Sequence, residues 1–340
     1  MTEAVGARTL IGRSAARRIE LVHWVVAAAV AVALWVVPLF ASRFVTGQVA
    51  RILVFGIAAL GLDLIWGYTG QLSLGHAAFF GLGAYATGLV LVHLGNVPAA
   101  GLLAIVAGVA VPTTLAYLMA RTLIHGNVTG AYFAIITLLV SLILEQLATT
   151  LIGITGGING LYGMAPIRIG PWELWGLLPS YYTIVVCALV AYAIARRLVR
   201  SPIGRAMEGV RTNEQRTASL GYPTSSVRTI AFVVGAAITG LAGMLYVPLE
   251  QFVYPTQLGV LLSTSIIVWV AIGGRRSLVG PFIGAFVVSY GQSLLSDRLQ
   301  QYWVLATGVF LVVVVLTQPR GLVGLVSTAV RRVRGHREER

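Results

Sequence analysis

Residues 61–88 read GLDLIWGYTGQLSLGHAAFFGLGAYATG. The stretch opens and closes apolar, and its middle is neither long enough nor polar enough to be an ordinary loop. Gly70, Gly75, Gly81 and Gly83 let backbones approach closely. Between them stand Gln71, Ser73 and His76, hydrogen-bonding groups that a lipid-facing helix disfavours. The segment 67–84 therefore reads either as a plain turn between two membrane spans or as a broken helix. A broken helix is tolerated at membrane depth only where it is buried or lines a cavity.

The composition around this stretch agrees with a bilayer setting. The 340 residues are 57% hydrophobic and only 10% charged, against about 25% charged in a soluble domain. A bilayer core of about 30 Å needs about 20 apolar residues per helix. Windows of that size fall at 22–41, 49–66, 74–93, 99–120, 132–152, 181–199, 229–249, 259–274, 278–295 and 302–317. The expected fold is all-α, a polytopic membrane helix bundle of about ten transmembrane helices. Its expected parts are a cytoplasmic N-terminal tail (1–21), a transmembrane domain (22–325) and a basic cytoplasmic tail (326–340). The apolar run in 22–41 is longer than the core of a signal peptide and no A-x-A follows it, so a retained first helix is expected.

Arginine placement tests the count. With these spans, 20 arginines fall on the side of both termini and 4 on the other. By the positive-inside rule both termini are cytoplasmic. The basic tail 331–340 serves topology or touches anionic membrane lipid.

All 24 basic residues are arginine, and lysine is absent. A P-loop is thereby excluded, since it needs lysine on the phosphates, as is Schiff-base lysine chemistry. The single cysteine, Cys187, cannot form an intrachain disulfide and reads as a small core residue. His23, His76, His93, His125 and His336 are scattered, with no H-E-x-x-H and no paired carboxylates, so neither a bound metal nor an intramembrane enzyme is expected. No nucleic-acid partner is expected.

Two segments do not span. The external stretch 153–180 carries GGING (156–160), Pro166, Pro171, Trp172 and Trp175; it covers the mouth of a pathway, receives an external partner, or connects spans at the interface. The cytoplasmic stretch 200–228, RSPIGRAMEGVRTNEQRTASLGYPTSSVR, is too polar to span. Pro202 suits a helix start, and Gly221 with Pro223 a stop. One or two short helices are expected there, with sparse apolar residues Ala206, Val210, Ala218 and Leu220 that suit a cleft in a soluble partner. The competing reading is a solvated loop that only sets topology.

Ionisable groups inside spans are functional hypotheses by default. Asp63 reads as a helix brace or a pathway group, and Glu145 has no cation on its own span. A proton-coupled secondary transporter would use such groups, but it needs no 29-residue polar loop. There is also an internal echo: GQLSLGHAAFFGLGA (70–84) resembles GRRSLVGPFIGA (274–285), each a few residues after a tryptophan (Trp66, Trp269).

The run 61–88 resembles the branched-chain amino-acid and urea class of ATP-binding-cassette importer permeases. GGINGL (156–161), SPIGRAMEGVRTNEQRTASLGY (201–222), VWVAIGGRRSLVGPFIGA (268–285) and PRGLVGL (319–325) resemble further elements of that class in the same order. Within it, 63–86 looks most like the urea-type permease. The missing glutamine after Thr137 and the stretch 259–265 depart from that type, so the branched-chain amino-acid branch stays open.

The resemblance implies a translocation subunit in the bacterial cytoplasmic membrane. Its implied partners are a homologous second permease, two ATP-binding subunits and an external solute-binding protein; the chain binds no cofactor, and ATP is consumed by the partner subunits. It implies that 201–222 couples to the ATPase, through Glu208, Arg211, Asn213, Glu214, Leu220 and Gly221. The pathway residues chosen on this reading are Asp63, Gln71, Ser73, His76 and Asn159, with urea the expected solute.

Overall fold

A computed structural model describes residues 29–299 of the chain. The expected tenth span (302–317) and both tails lie outside the described residues. Through Thr46 the described chain forms one unit, holding α1 (Ala29–Phe40) and the first turn of α2; from Gly47 onward it forms a second. The second unit carries the fold.

Six helices are long and apolar enough to cross a membrane. They are α2 (Arg43–Gly67), α3 (Ala77–Leu94), α4 (Ala100–Ile124), α5 (Gly130–Thr150), α6 (Leu177–Arg200) and α9 (Thr224–Glu250). Each coincides with an expected span. Two short helices, α7 (Pro202–Thr212) and α8 (Glu214–Ser219), lie between α6 and α9. After α9 come α10 (Val260–Gly273), too short to span alone, and α11 (Gly280–Leu299).

Burial ranks the helices. The span windows of α2, α3 and α9 are 78, 61 and 72% buried, those of α4, α5 and α6 about half that or less. A helix apolar all round and buried belongs at the centre of a bundle; one apolar all round and exposed faces lipid. Small residues let the central helices touch. Gly83 of α3 lies against the backbone carbonyls of Gly240 on α9 and Gly108 on α4, where any Cβ would collide. Without hydrophobic drive between helices in lipid, such close packing is what holds them.

The bundle has two distinct ends. At one, α6 enters α7 and α8. Ser201 caps α7 by accepting from the Gly204 amide (3.3 Å), with Pro202 in its first turn, and Asn213 caps α8 by accepting from the Arg216 amide (2.9 Å). At the other end, 152–176 folds back over the bundle. It holds a helical turn (Ile152–Thr155), a hairpin of β1 (Ile167–Ile169) and β2 (Trp172–Leu174), and a bridge from Leu161 to Val253. Leu161, Met164 and Ile167 are buried against Tyr85, Leu91, Ala104 and Val253. This segment is thus a packed cap, while Ile158, Tyr162 and Trp172 remain exposed on its outside. Cys187 sits half-buried on α6.

Candidate functional site

The break between α2 and α3 is irregular backbone buried inside the bundle. α2 ends in a π-turn (Asp63–Gly67), and Gly70 turns the chain at φ +77°. Thr239 of α9 then fixes the depth of the return: its hydroxyl lies 2.7 Å from His76 Nε2 and 3.2 Å from the Ala58 carbonyl. Through Thr239, His76 is thus tied to the Ala58 turn of α2. Between Gly70 and α3 the chain runs without regular structure through Ser73 and then turns over Leu74–His76, with His76 already in helical conformation.

An irregular limb inside a bundle must have its amides met by neighbours. Leu74 N–H donates to Thr137 Oγ1 of α5 (3.1 Å), and Ala77 N–H to Ser263 Oγ of α10 (3.0 Å). Gly75 lies against the Thr137 carbonyl, too close for a Cβ. On α5, Thr137, Ser141 and Glu145 recur every fourth residue and so share a face. Ser141 Oγ donates to the Leu258 carbonyl, and the Glu145 carboxylate packs on Gly259, the residue that precedes α10. One polar stripe thus holds both the limb and the start of α10.

The structure brings Gln71, Ser73 and His76 together on this limb, all buried. Both amide atoms of Gln71, Ser73 Oγ and His76 Nδ1 have no hydrogen-bond partner among the described residues. Asn159 is elsewhere. It is exposed in the turn Gly157–Asn159 of the cap, near the far end of α3. Asp63 is also apart, fully buried at the end bearing α7, where its Oδ1 accepts from the Arg276 amide (2.9 Å).

That end joins the stretch before the first echoed segment to the start of the second. Tyr68 OH donates to the Arg276 carbonyl (3.0 Å), and the Arg275 guanidinium lies 4.5 Å from the Trp66 ring. Arg276 itself adopts φ +66°, a strained conformation for a non-glycine residue, held by these contacts and by its ion pair to Glu208. Arg211 Nη1 of α7 donates to the Gly67 carbonyl at the end of α2 (2.9 Å). Burial and the neighbouring Arg276 and Arg275 lower the Arg211 pKa, while Asp63 and Glu208 oppose them.

Of the other loop residues, Glu214 pairs with the buried Arg228 of α9 (2.7 Å), and Asn213 is spent as a cap. Ala206, Met207 and Val210 pack on Val227 and Ala231. Of the four apolar residues expected to meet a partner, Ala206 and Val210 therefore pack on the bundle's own helix, and Ala218 and Leu220 stay exposed. Leu220, Gly221 and Tyr222 stand exposed beyond it.

Sequence reading missed a second constellation. Two cavities, about 320 and 260 Å³, share Phe55 as a wall. The first is lined by Gln48, Arg51, Trp269, Ser289 and Gln292, the second by Phe80, Tyr246, Tyr254, Thr256 and Gln257. Phe55 stacks on Trp269 (4.8 Å between centroids), and Phe80 meets Tyr246 edge-on (5.5 Å). Arg51 Nε lies 2.7 Å from Glu250 Oε1. None of the five pathway residues chosen from sequence lines either cavity. The available signal was Arg51, a charge inside the window 49–66. Among the described residues no cluster of His, Cys, Asp or Glu could hold a metal ion.

Comparison with known proteins bears on this bundle directly. The family described as branched-chain amino acid transport system / permease component matches residues 44–317. The chain belongs to this family. The permease is 28% identical to the high-affinity branched-chain amino acid transport system permease protein LivM of Escherichia coli K12, over 84% of this chain and 71% of the relative. It is 25% identical to the BraD permease protein of the corresponding Pseudomonas aeruginosa system, over 79% of this chain and 91% of that one. A probable branched-chain amino acid transport permease protein, LivH of Methanocaldococcus jannaschii, is 23% identical over 79% and 88%. No solved structure matches the permease. Its relatives are transport permeases rather than enzymes, and its six apolar helices make it a multi-pass membrane protein.

Proposed function

We propose that this chain is a pathway-forming subunit of an ATP-driven importer of branched-chain amino acids in the bacterial cytoplasmic membrane. The carrying observation is the family match over 44–317. Sequence motifs favoured urea. The relatives' names favour branched-chain amino acids, and the substrate reading turns on them. A homologous second permease, two ATP-binding subunits and an external binding protein complete the assembly.

Coupling follows from the α7 end. The exposed tip at Leu220 and Gly221 meets an ATP-binding subunit. Displacement of α7 pulls on Gly67 through Arg211 and on Arg276 through Glu208, and so reaches the start of the buried limb. Glu214 braces α8 on α9 through Arg228. Gln71, Ser73 and His76 offer polar atoms to the moving interior, and Asn159 faces the binding protein on the cap. In this arrangement α7 and α8 are cytoplasmic, both termini lie on that side, and ten spans cross the membrane.

Deleting the gene in its own host and measuring uptake of labelled leucine and labelled urea at low micromolar concentration tests the reading. Loss of leucine uptake with urea uptake intact is expected. Loss of urea uptake alone overturns the substrate assignment.

A further inference from the structure

The two cavities that share Phe55 have a mixed chemistry that packing alone does not require. Phe55, Phe80, Tyr246 and Trp269 form an aromatic wall, and Arg51 lines one cavity with Glu250 paired to it. Gln257 and Trp269 are each only 3% exposed, and both amide atoms of Gln257 and the indole N–H of Trp269 have no partner among the described residues. Unmet buried polar groups of this kind call for a ligand or a second arrangement. Small-molecule sites are largely apolar with a few placed polar groups, at volumes from about 300 Å³. Phe55 stands between the two cavities, as a wall of each, so together they form one groove divided by its ring.

We infer that this groove, bounded by Phe55, Trp269 and Tyr246 with the Arg51–Glu250 pair at its charged end, is the permease's own contact site for a zwitterionic aliphatic amino acid. The inference rests on the branched-chain amino-acid reading of the importer and assigns the residues that read the solute. Arg51 takes the carboxylate, Glu250 takes the ammonium, and the aromatic wall takes the branched side chain. The charge arithmetic favours a zwitterion. With the groove empty, Arg51 and Glu250 satisfy each other at 2.7 Å. The pair is partly open to solvent, its side chains 50 and 23% exposed, so a solute can reach both, and a zwitterion between them offers each an opposite charge. A neutral solute such as urea leaves the pair closed. Arg51 stands sixteen residues before Gly67 on α2, about 24 Å from the α7 end. The groove is therefore reached from the side of the cap, where solute arrives.

The test is uptake of labelled leucine and labelled valine by the deletion host carrying the intact transporter, with permease abundance matched in the membrane. Phe55→Trp narrows the groove and should lower the leucine-to-valine uptake ratio by at least about threefold, since one methylene in a fitted pocket discriminates by more than that. A purely structural Phe55 lowers both rates together and leaves the ratio unchanged, which overturns the assignment. Arg51→Gln and Glu250→Gln should each cut leucine uptake about tenfold or more. The exchange Arg51→Glu with Glu250→Arg keeps an ion pair but inverts what the solute meets, and leucine uptake should stay low. Full recovery in the exchange means the pair is only a brace and sinks its part of the site. If the unaltered transporter carries urea and not leucine, the substrate reading and the groove fall together. If it carries leucine and all variants behave as wild type, only the groove falls.

Discussion

Gly221 adopts φ +85°, and nothing lies within 4 Å of the point where a Cβ would stand. A larger side chain there meets no neighbour; the obstacle is the backbone. A β-branched residue in the left-handed region costs about 1–2 kcal/mol, whereas asparagine tolerates it. Gly221→Val should reorient the exposed tip and depress uptake at normal membrane abundance, while Gly221→Asn retains it; uptake with a membrane immunoblot decides. Glu214 offers a sharper contrast. Its carboxylate holds Arg228, which is only 5% exposed. Glu214→Arg sets two guanidinium groups together and leaves the buried Arg228 without its partner. Uptake should be lost in the single variant and regained in Glu214→Arg with Arg228→Glu. If the double variant stays dead, Glu214 acts on a partner subunit rather than on α9.

The limb 70–76 is decided one level up. Gln71, Ser73 and His76 were legible as residues a lipid-facing helix would not carry, and the glycines as a break. What the break does was not legible, because its partners are Thr137, Thr239 and Ser263, three ordinary-looking hydroxyls on three other helices. Hydroxyls usually bond back to their own helix, as Thr239 also does to Gly235. Only packing shows which of them reach out. Removing one acceptor opens the limb locally. Thr137→Val should speed amide exchange at Leu74, and Ser263→Ala at Ala77, each by about tenfold or more for a lost bond of about 1.5 kcal/mol. Exchange rates that stay at wild-type values would mean that the limb is held elsewhere.

Over the whole molecule, charge asymmetry and structure run together. Arg211, Arg216, Arg228, Arg275 and Arg276 gather at the end of the bundle that holds α7 and α8, and the opposite end carries the cap. The positive-inside rule predicts a cytoplasmic α7 end. In a Cys187→Ser background, a cysteine at Ser219 should react with a membrane-impermeant maleimide only in inverted vesicles. One at Asn159 should react in intact spheroplasts. Labelling in the reverse pattern would invert the topology and the coupling scheme with it.

The sequence by itself determined that the chain is a helical membrane protein, where most spans run, which loop is too polar to span and which transport family it resembles. Those properties are carried by runs of residues and by composition, and the bilayer reads them along the chain. Asp63, Trp66 and Tyr68, just before the first echoed segment, meet Arg275 and Arg276 at the start of the second, a contact that the echo of 70–84 in 274–285 does not itself contain. The Arg51–Glu250 pair joins residues 199 positions apart, and the walls of the groove come from α2, α3, α9, α10 and α11. Such sites depend on which faces of which helices turn toward one another. That is set by close contacts such as Gly83 on Gly240 and Gly108, so only the tertiary structure decided it.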